Sequence, residues 1–441
     1  LHLSIRRQRQ MCIRDRISSA MCCGTSLESE EIVSEIINYI EKNKIPINID
    51  TVGCHGICYA GPIIDILYKG QPRIFWGNVT KDNVVKILDS YIKKGEVLTD
   101  NLLGSLGERS IDGIKKIDDL QGINLQNRIA LRNSGNIAFN DIFQYIANGG
   151  FEGLHKAVTK MSSDEVISEV KNSGLRGRGG AAFPTGLKWS FMSNSKGVKY
   201  ILCNCEEGDP GAYNDKGILE SDPYTLLEGM AIAGYATKST NGYVFIRHGH
   251  DGPIDRTKEA INQMYDNGLL GKNIFGSDFS FDIEVSLTGD SYVAGEETAL
   301  MESIEGKSAR PRSRPPFPAA YGVWGKPSTI NNVKSLAYVS EIIRNGSEWF
   351  KSIGTESSSV TAIVCLSGDV LNPGMYEVEM GISIKDVVEK IGGGIPDGRK
   401  LKMLQTGGPL GGVLGADSLK VKIDFDEMAK AGAILGSGGI I

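Results

Sequence analysis

Apolar residues recur every three to four positions in some stretches of the chain and cluster or alternate in others, and the two kinds follow one another. Residues 28–44, ESEEIVSEIINYIEKNK, have helical spacing behind an acidic first turn. PINIDTVGC (46–54) and PIIDILYKG (62–70) predict strands, with another near FWGNV. TKDNVVKILDSYIKKG predicts a second helix with Thr80 as its N-cap. Residues 17–98 therefore read as one small α/β domain, and the polar, poorly periodic stretch 99–137 as a linker.

The pattern then becomes regular over residues 138–352. SSDEVISEVKNSG predicts a capped helix, VKYILCN a strand, DPYTLLEGMAIAGYA a helix, NGYVFIRHG a strand, PIDRTKEAINQMYDNG a helix and FDIEVSLTG a strand. Alternating strands and helices imply a parallel sheet with helices on its faces. Ligands of such sheets sit at the carboxyl ends of the strands, so the loops after Asn204, His248 and Leu287 should converge. Residues 357–420 change character again, with a strand-rich segment around a Pro-Gly turn and a short helix closed by glycines, and predict a β-grasp-like module. Residues 421–441 read as the start of a truncated C-terminal region.

Composition narrows the class. With 441 residues, 41% hydrophobic, 23% charged and a net charge of -5, the chain reads as soluble, globular and multi-domain. That charge gives no reason to expect nucleic acid or an anionic membrane as partner, and no apolar run is long enough to span a bilayer. The opening LHLSIRRQRQMCIRDR lacks an initiator Met and an apolar core; it is similar to translated adaptor sequence, and residues 1–16 are expected to stand outside the fold. Eight cysteines are thinly spread, which fits a cytoplasmic chain with a metal or redox site better than a secreted disulfide framework.

GLRGRGGAAFPTGLKW, residues 174–189, places five glycines among Arg176, Arg178 and Lys188. Glycine allows close backbone approach, and Arg and Lys supply donors for phosphate oxygens. The loop contains G-x-G-x-x-A (Gly177, Gly179, Ala182), but a helix precedes it where a dinucleotide fingerprint requires a strand. It also lacks G-K-[ST] and is no P-loop. On these residues alone a cofactor loop and a purely structural glycine-rich loop remain equally open. CNCEEGDPGAYND (203–215), SYVAGEETA (291–299) and RSRPPFPAAYGVWGKPSTINNV (312–333) add carboxylates, an aromatic ring and amides at strand ends, a set suited to a nucleotide. His248 and His250 read as structural.

Together, GLRGRGGAAFPTGLKW, CNCEEGDPGAYND, YVAGEETALMESIEG, RPPFP and GKPSTINNV resemble the FMN- and NADH-binding flavoprotein subunit of respiratory complex I and the diaphorase subunits of NAD-linked hydrogenases and formate dehydrogenases. The resemblance covers about residues 140–430. It implies a Rossmann-like FMN-binding domain followed by a β-grasp module of the SLBB type. It implies FMN contacts at Gly177, Arg178, Gly179, Lys188, Asn204, Glu206, Glu207, Gly295, Glu296, Asn331, Asn332 and Ser335. It implies NADH contacts at Phe183, Phe191, Asp209, Tyr292, Glu297, Arg314 and Phe317. The implied reaction is hydride transfer from NADH to FMN and single-electron delivery to iron–sulfur subunits of a larger complex, with no catalytic acid or base. The alternatives are the same module serving a hydrogenase, formate dehydrogenase or aromatic-acyl-CoA reductase, and a flavin-less scaffold. Glu207 and Asp209 place negative charge where a 2′-phosphate would need Arg or Lys, so NADH is expected over NADPH. The implied place is the cytoplasm, on its own or peripheral to a membrane complex.

GCHGICYAGP and MCCGTS resemble the thioredoxin-like 2Fe–2S domain that accompanies this family. Cys54 and Cys58 match its C-x3-C pair, and Cys22 matches the first ligand of its C-x4-C pair, but Leu27 stands where the second is expected. Four thiolates are the usual requirement, so a weak or absent cluster is expected. The family's C-x2-C-x2-C motif for a 4Fe–4S cluster is not in this sequence.

Overall fold

The computed structural model describes residues 13–18, 29–68, 70–109, 111–288 and 291–441. Local capping chemistry sets several helix starts. Thr80 Oγ1 accepts from the Asn83 amide at 3.3 Å and the Asn83 side chain accepts from the Thr80 amide at 2.8 Å, fixing the start of helix α2 (Lys81–Leu88). Helices α1 (Ser29–Asn43) and α2 bury Ile32, Ile36, Val84 and Leu88 against Ile64, Ile66, Ile74 and Trp76 of the N-terminal sheet. That sheet has five strands: β1 (Ile13–Ser18), β2 (Asn48–Val52), β3 (Ile64–Tyr68), β4 (Arg73–Trp76) and β5 (Leu102–Leu106), in the order β2-β1-β3-β4-β5.

Two expectations from the sequence fail in this region. Residues 13–16, assigned to a stretch outside the fold, belong to a strand lying parallel to β2 and antiparallel to β3. A ladder is made by backbone groups, so charged IRDRIS can form one without an apolar pattern. The stretch 99–137 is not a free linker either: β5 completes the sheet, and Ile117, Ile129, Ala130, Leu131 and Ile137 are buried.

The central domain has strands β6 (Tyr200–Cys205), β7 (Asn241–Arg247), β8 (Asp282–Thr288) and β9 (Ser328–Asn332), all parallel in the order β8-β7-β6-β9. Around them lie α3 (Ser163–Asn172), α4 (Thr185–Ser193), α5 (Asn214–Ser221), α6 (Pro223–Thr237), α7 (Asp251–Asp266), α8 (Glu297–Ile304) and α9 (Val333–Ala337). Apart from Tyr235, every residue of α6 is buried, which explains its apolar character on all sides. Gly186 lets α4 touch α3, since a Cβ there would sit 2.5 Å from the Lys171 amide nitrogen.

The C-terminal module pairs β10 (Thr361–Leu366) antiparallel with β11 (Gly374–Glu379), and β12 (Met403–Gln405) with β13 (Val413–Gly415). Residues 421–441 complete it instead of starting another region. Strand β14 (Gly439–Ile440) joins β10, and Ile423, Phe425, Met428 and Leu435 enter the same core. Helix α10 (Phe425–Lys430) starts where the Asp424 carboxylate accepts from Asp426 and Glu427 at 2.9 and 3.1 Å.

The connector, the central domain and the C-terminal module meet at buried Glu377 on β11. Its carboxylate accepts from the amides of Ile129, Ala130 and Leu131 at 2.8–3.0 Å and from the Tyr338 hydroxyl at 3.1 Å. Among the described residues no helix is long and apolar enough to cross a membrane.

Candidate functional site

The carboxyl ends of the parallel strands do converge. Asn204, near the end of β6, donates to the Gly295 carbonyl at 2.8 Å and lies beside Asn332 of β9 in register. The next residue but one, Glu206, is buried and bonds Arg247, at the end of β7, at 2.8 Å. Gly295 lets this closure happen, because a Cβ there would sit 2.9 Å from Glu206 Oε2. Burial pushes the Glu206 carboxyl up to about 7 against the pull of Arg247.

The glycine-rich segment is a loop closed at its neck. The Gly177 amide donates to the Phe183 carbonyl at 2.8 Å, Thr185 to Leu175 at 2.9 Å, and Arg176 Nε to Ala182 at 3.0 Å. The loop packs over β9, with the Cβ position of Gly179 3.1 Å from Asn332 Cβ. Beyond the neck, Phe183 and Phe191 stand with ring centroids 6.4 Å apart. Phe183, Phe191, Tyr292 and Phe317 are 44–61% exposed, which leaves their rings open to a ligand.

Lys188 on α4 donates to the Ile330 carbonyl at 2.7 Å and lies 3.4 Å from Glu297. Burial lowers the Lys188 pKa while Glu297 raises it. Arg314 bridges Glu296 and Glu297, and Glu296 also caps α8 by accepting from the Thr298 and Ala299 amides at 2.9 and 3.0 Å. Tyr292 donates to Asp209 at 2.5 Å. The structure thus brings Lys188, Glu296, Glu297 and Arg314 into one charged cluster, and Asn204, Glu206 and Gly295 into another contact set.

Two predicted ligands are placed otherwise. The Arg178 amide donates to Ser335 Oγ at 2.8 Å, but its guanidinium is buried against the C-terminal module, donating to the Ser359 carbonyl at 2.8 Å. Glu207 turns inward, accepting from the Asp215 and Lys216 amides at the start of α5, both at 2.8 Å. Burial and the Asp215 carboxylate push it up to about 7. Its carboxylate is therefore engaged at the start of α5 rather than turned toward a ligand. Sequence reasoning missed Arg247, where attention fell on the neighbouring histidines. It also missed Lys334, whose buried ammonium bonds Asp215 at 2.8 Å beneath Asn332. A lysine two residues after TINN was the available signal.

The residues present fit FMN. Asn331 is buried beside the Trp189 indole, which donates to its Oδ1 at 3.4 Å, while its Nδ2 has no partner in the protein. An unpaired buried amide costs about 1–3 kcal/mol, a cost that a flavin oxygen accepting there would remove. Asn331, Asn332, Lys188 and the loop backbone would hold the group.

The cysteines lie elsewhere. Cys54 accepts from the Gly56 amide at 3.1 Å, and Cys58 lies 3.9 Å from the Tyr213 hydroxyl. Cys22 lies outside the described residues. Among those described, no three His, Cys, Asp or Glu side chains are placed to hold a metal ion.

Residues 170–341 match the Nuo51 FMN-binding domain and residues 363–414 the SLBB domain. The chain is 49% identical over 317 residues to the HndC subunit of the NADP-reducing hydrogenase of Solidesulfovibrio fructosivorans, covering 72% of this chain and 64% of the relative. It is 45% identical over 298 residues to the F 2 subunit of the NADH-quinone oxidoreductase of Rhizobium meliloti, covering 67% and 71% respectively. It is 42% identical over 296 residues to the F subunit of the NADH-quinone oxidoreductase of Escherichia coli, covering 67% and 66%. In fold it is similar to a chain of an NAD+-reducing NiFe-hydrogenase, with a TM-score of 0.60 at 24% identity over 97% of this chain and 68% of that one. The chain spans about two thirds of the length of these relatives, and it belongs to the family of NADH-quinone oxidoreductase F subunits and their hydrogenase counterparts.

Proposed function

We propose that this chain is the nucleotide-oxidising flavoprotein module of a multi-subunit redox complex, taking hydride from NADH and delivering electrons to iron–sulfur partners. The observation that carries it is the partnerless Asn331 amide, buried near the end of the parallel strand whose next residue, Asn332, packs under the glycine loop. When bound, FMN supplies the step from two-electron to one-electron chemistry.

The protein's part is positioning. The loop backbone and Lys188 bind phosphate. Phe183, Phe191 and Phe317 offer faces for the nicotinamide or adenine rings. Glu297 and Asp209 accept from ribose hydroxyls, and Asp209, held by Tyr292, disfavours a 2′-phosphate. NADH is therefore preferred over NADPH. The likeness to a hydrogenase subunit supports a hydrogenase complex as the assembly served, with a quinone-reducing complex as the alternative.

Heat release of the bound flavin followed by mass measurement should give FMN, and NADH should reduce ferricyanide faster than NADPH does. FAD in the extract, or no flavin after reconstitution, overturns the reading. Equal rates with both nucleotides overturn the role of Asp209.

A further inference from the structure

We propose that Arg178 is a positioning residue through which the SLBB module fixes the glycine-rich loop over the flavin site. The inference rests on the flavin reading above and adds a dependence of that site on a separate module.

Arg178 is 4% exposed, so its guanidinium is not offered to solvent. Its guanidinium carbon lies 5.6 Å from the Tyr338 ring centroid and 5.1 Å from that of Phe425, within reach of cation–π attraction. It donates to the Ser359 carbonyl, and Met380 Sδ lies 3.9 Å away. Ser359 and Met380 flank the strands of the SLBB module, and Phe425 opens α10 within its core. No carboxylate pairs with Arg178 among the described residues.

Arg176 reaches the same ring from the other arm of the charge pattern, 4.8 Å from the Phe425 centroid, and pairs with Asp426 at 2.9 Å. Both arginines of the loop therefore converge on one phenyl ring of another module. The backbone on the opposite side is fixed to the central domain, by the Arg178 amide on Ser335 and by the paired neck. A glycine-rich backbone has little side-chain packing of its own to hold a conformation. These side-chain anchors supply what it lacks, leaving loop amides and Lys188 to face the ligand.

The test is a double-mutant cycle on the full chain, with FMN affinity read by equilibrium dialysis and folding checked by circular dichroism. Phe425→Leu should raise the FMN Kd about tenfold although it lies in the SLBB module, and Arg178→Met should do the same or more. The double variant should lose clearly less than the sum of the two singles, because both remove the shared Arg178–Phe425 contact. Arg178→Lys, which keeps a cation over the rings, should recover to within about threefold of wild type; a purely steric role would leave Lys and Met alike. An effect of Arg178→Met without one of Phe425→Leu, additive losses, or unchanged Kd values would each overturn the proposal. A wild-type chain that binds no FMN would instead overturn the flavin reading itself, and this inference with it.

Discussion

The two ends of the glycine-rich segment carry similar charge and do opposite things. At one end, Arg176 and Arg178 turn toward Phe425 and the SLBB module, where Arg178 is buried and donates to the Ser359 carbonyl. At the other, the Phe183 and Phe191 rings are largely exposed and Lys188 lies between Glu297 and the Ile330 carbonyl of β9. The lesson is that a cation in a glycine loop identifies an anchored loop before it identifies a ligand contact. What separates the cases is the partner: an aromatic ring and a backbone carbonyl hold Arg178, whereas Lys188 keeps a carboxylate and a carbonyl at the rim of the site.

The sharpest way to break this contrast is Lys188→Ala. It removes a charge-assisted contact worth roughly 1.5–3 kcal/mol, so FMN affinity should fall about tenfold or more. Unchanged flavin occupancy in the purified variant would move the phosphate site elsewhere. Next in size is Phe317→Ala. Loss of an exposed stacking surface should raise the KM for NADH about threefold to tenfold while flavin retention stays within twofold, about the size expected for an aromatic contact. A large loss of flavin with unchanged KM would put the ring on the wrong ligand.

A smaller effect concerns pH. Glu206 and Glu207 are both pushed from an ordinary 4.5 up to about 7. The folded chain then binds their protons more tightly than the unfolded chain does. Stability should therefore fall as pH rises from about 4.5 to about 7 and level off above. In melts without added flavin, Glu206→Gln should flatten that decline. Parallel curves for variant and wild type across the window would show that Glu206 is not the group responsible. The smallest effect is expected of Cys203→Ser. Its side chain is fully buried in β6, burial holds its thiol well above the usual range, and no ligand role is assigned to it. NADH:ferricyanide turnover per bound flavin should stay within about twofold, and an abolished rate would place redox chemistry in that strand.

Much of the fold was legible because apolar runs must be buried and capping residues announce helix starts. VKYILCN, NGYVFIRHG and FDIEVSLTG became β6, β7 and β8, and Thr80 caps its helix as read. What was hidden had a physical reason. IRDRIS pairs through its backbone, so composition concealed β1. Strand β5, LLGSL, is short and interrupted by a glycine, and its register on β4 is irregular. In the site, the order of motifs was visible, but side-chain direction was not. Glu206 and Glu207 are neighbours in sequence, yet one salt-bridges Arg247 and the other caps α5. Arg178 and Lys188 looked equivalent until the SLBB module was in place.

Glu377 has a consequence for biosynthesis. Its carboxylate receives the amides of residues 129–131, which precede it by 246 to 248 positions. At a ribosomal rate of about 5–20 residues per second, that carboxylate is made roughly 10–50 seconds after the amides it satisfies. Throughout that interval the nascent connector exposes three donors with no native acceptor. The N-terminal sheet can close early and meet the central domain through Cys54 and Ser221, but residues 129–131 are satisfied only when β11 has emerged, so this connector is finished from the far end of the chain backwards.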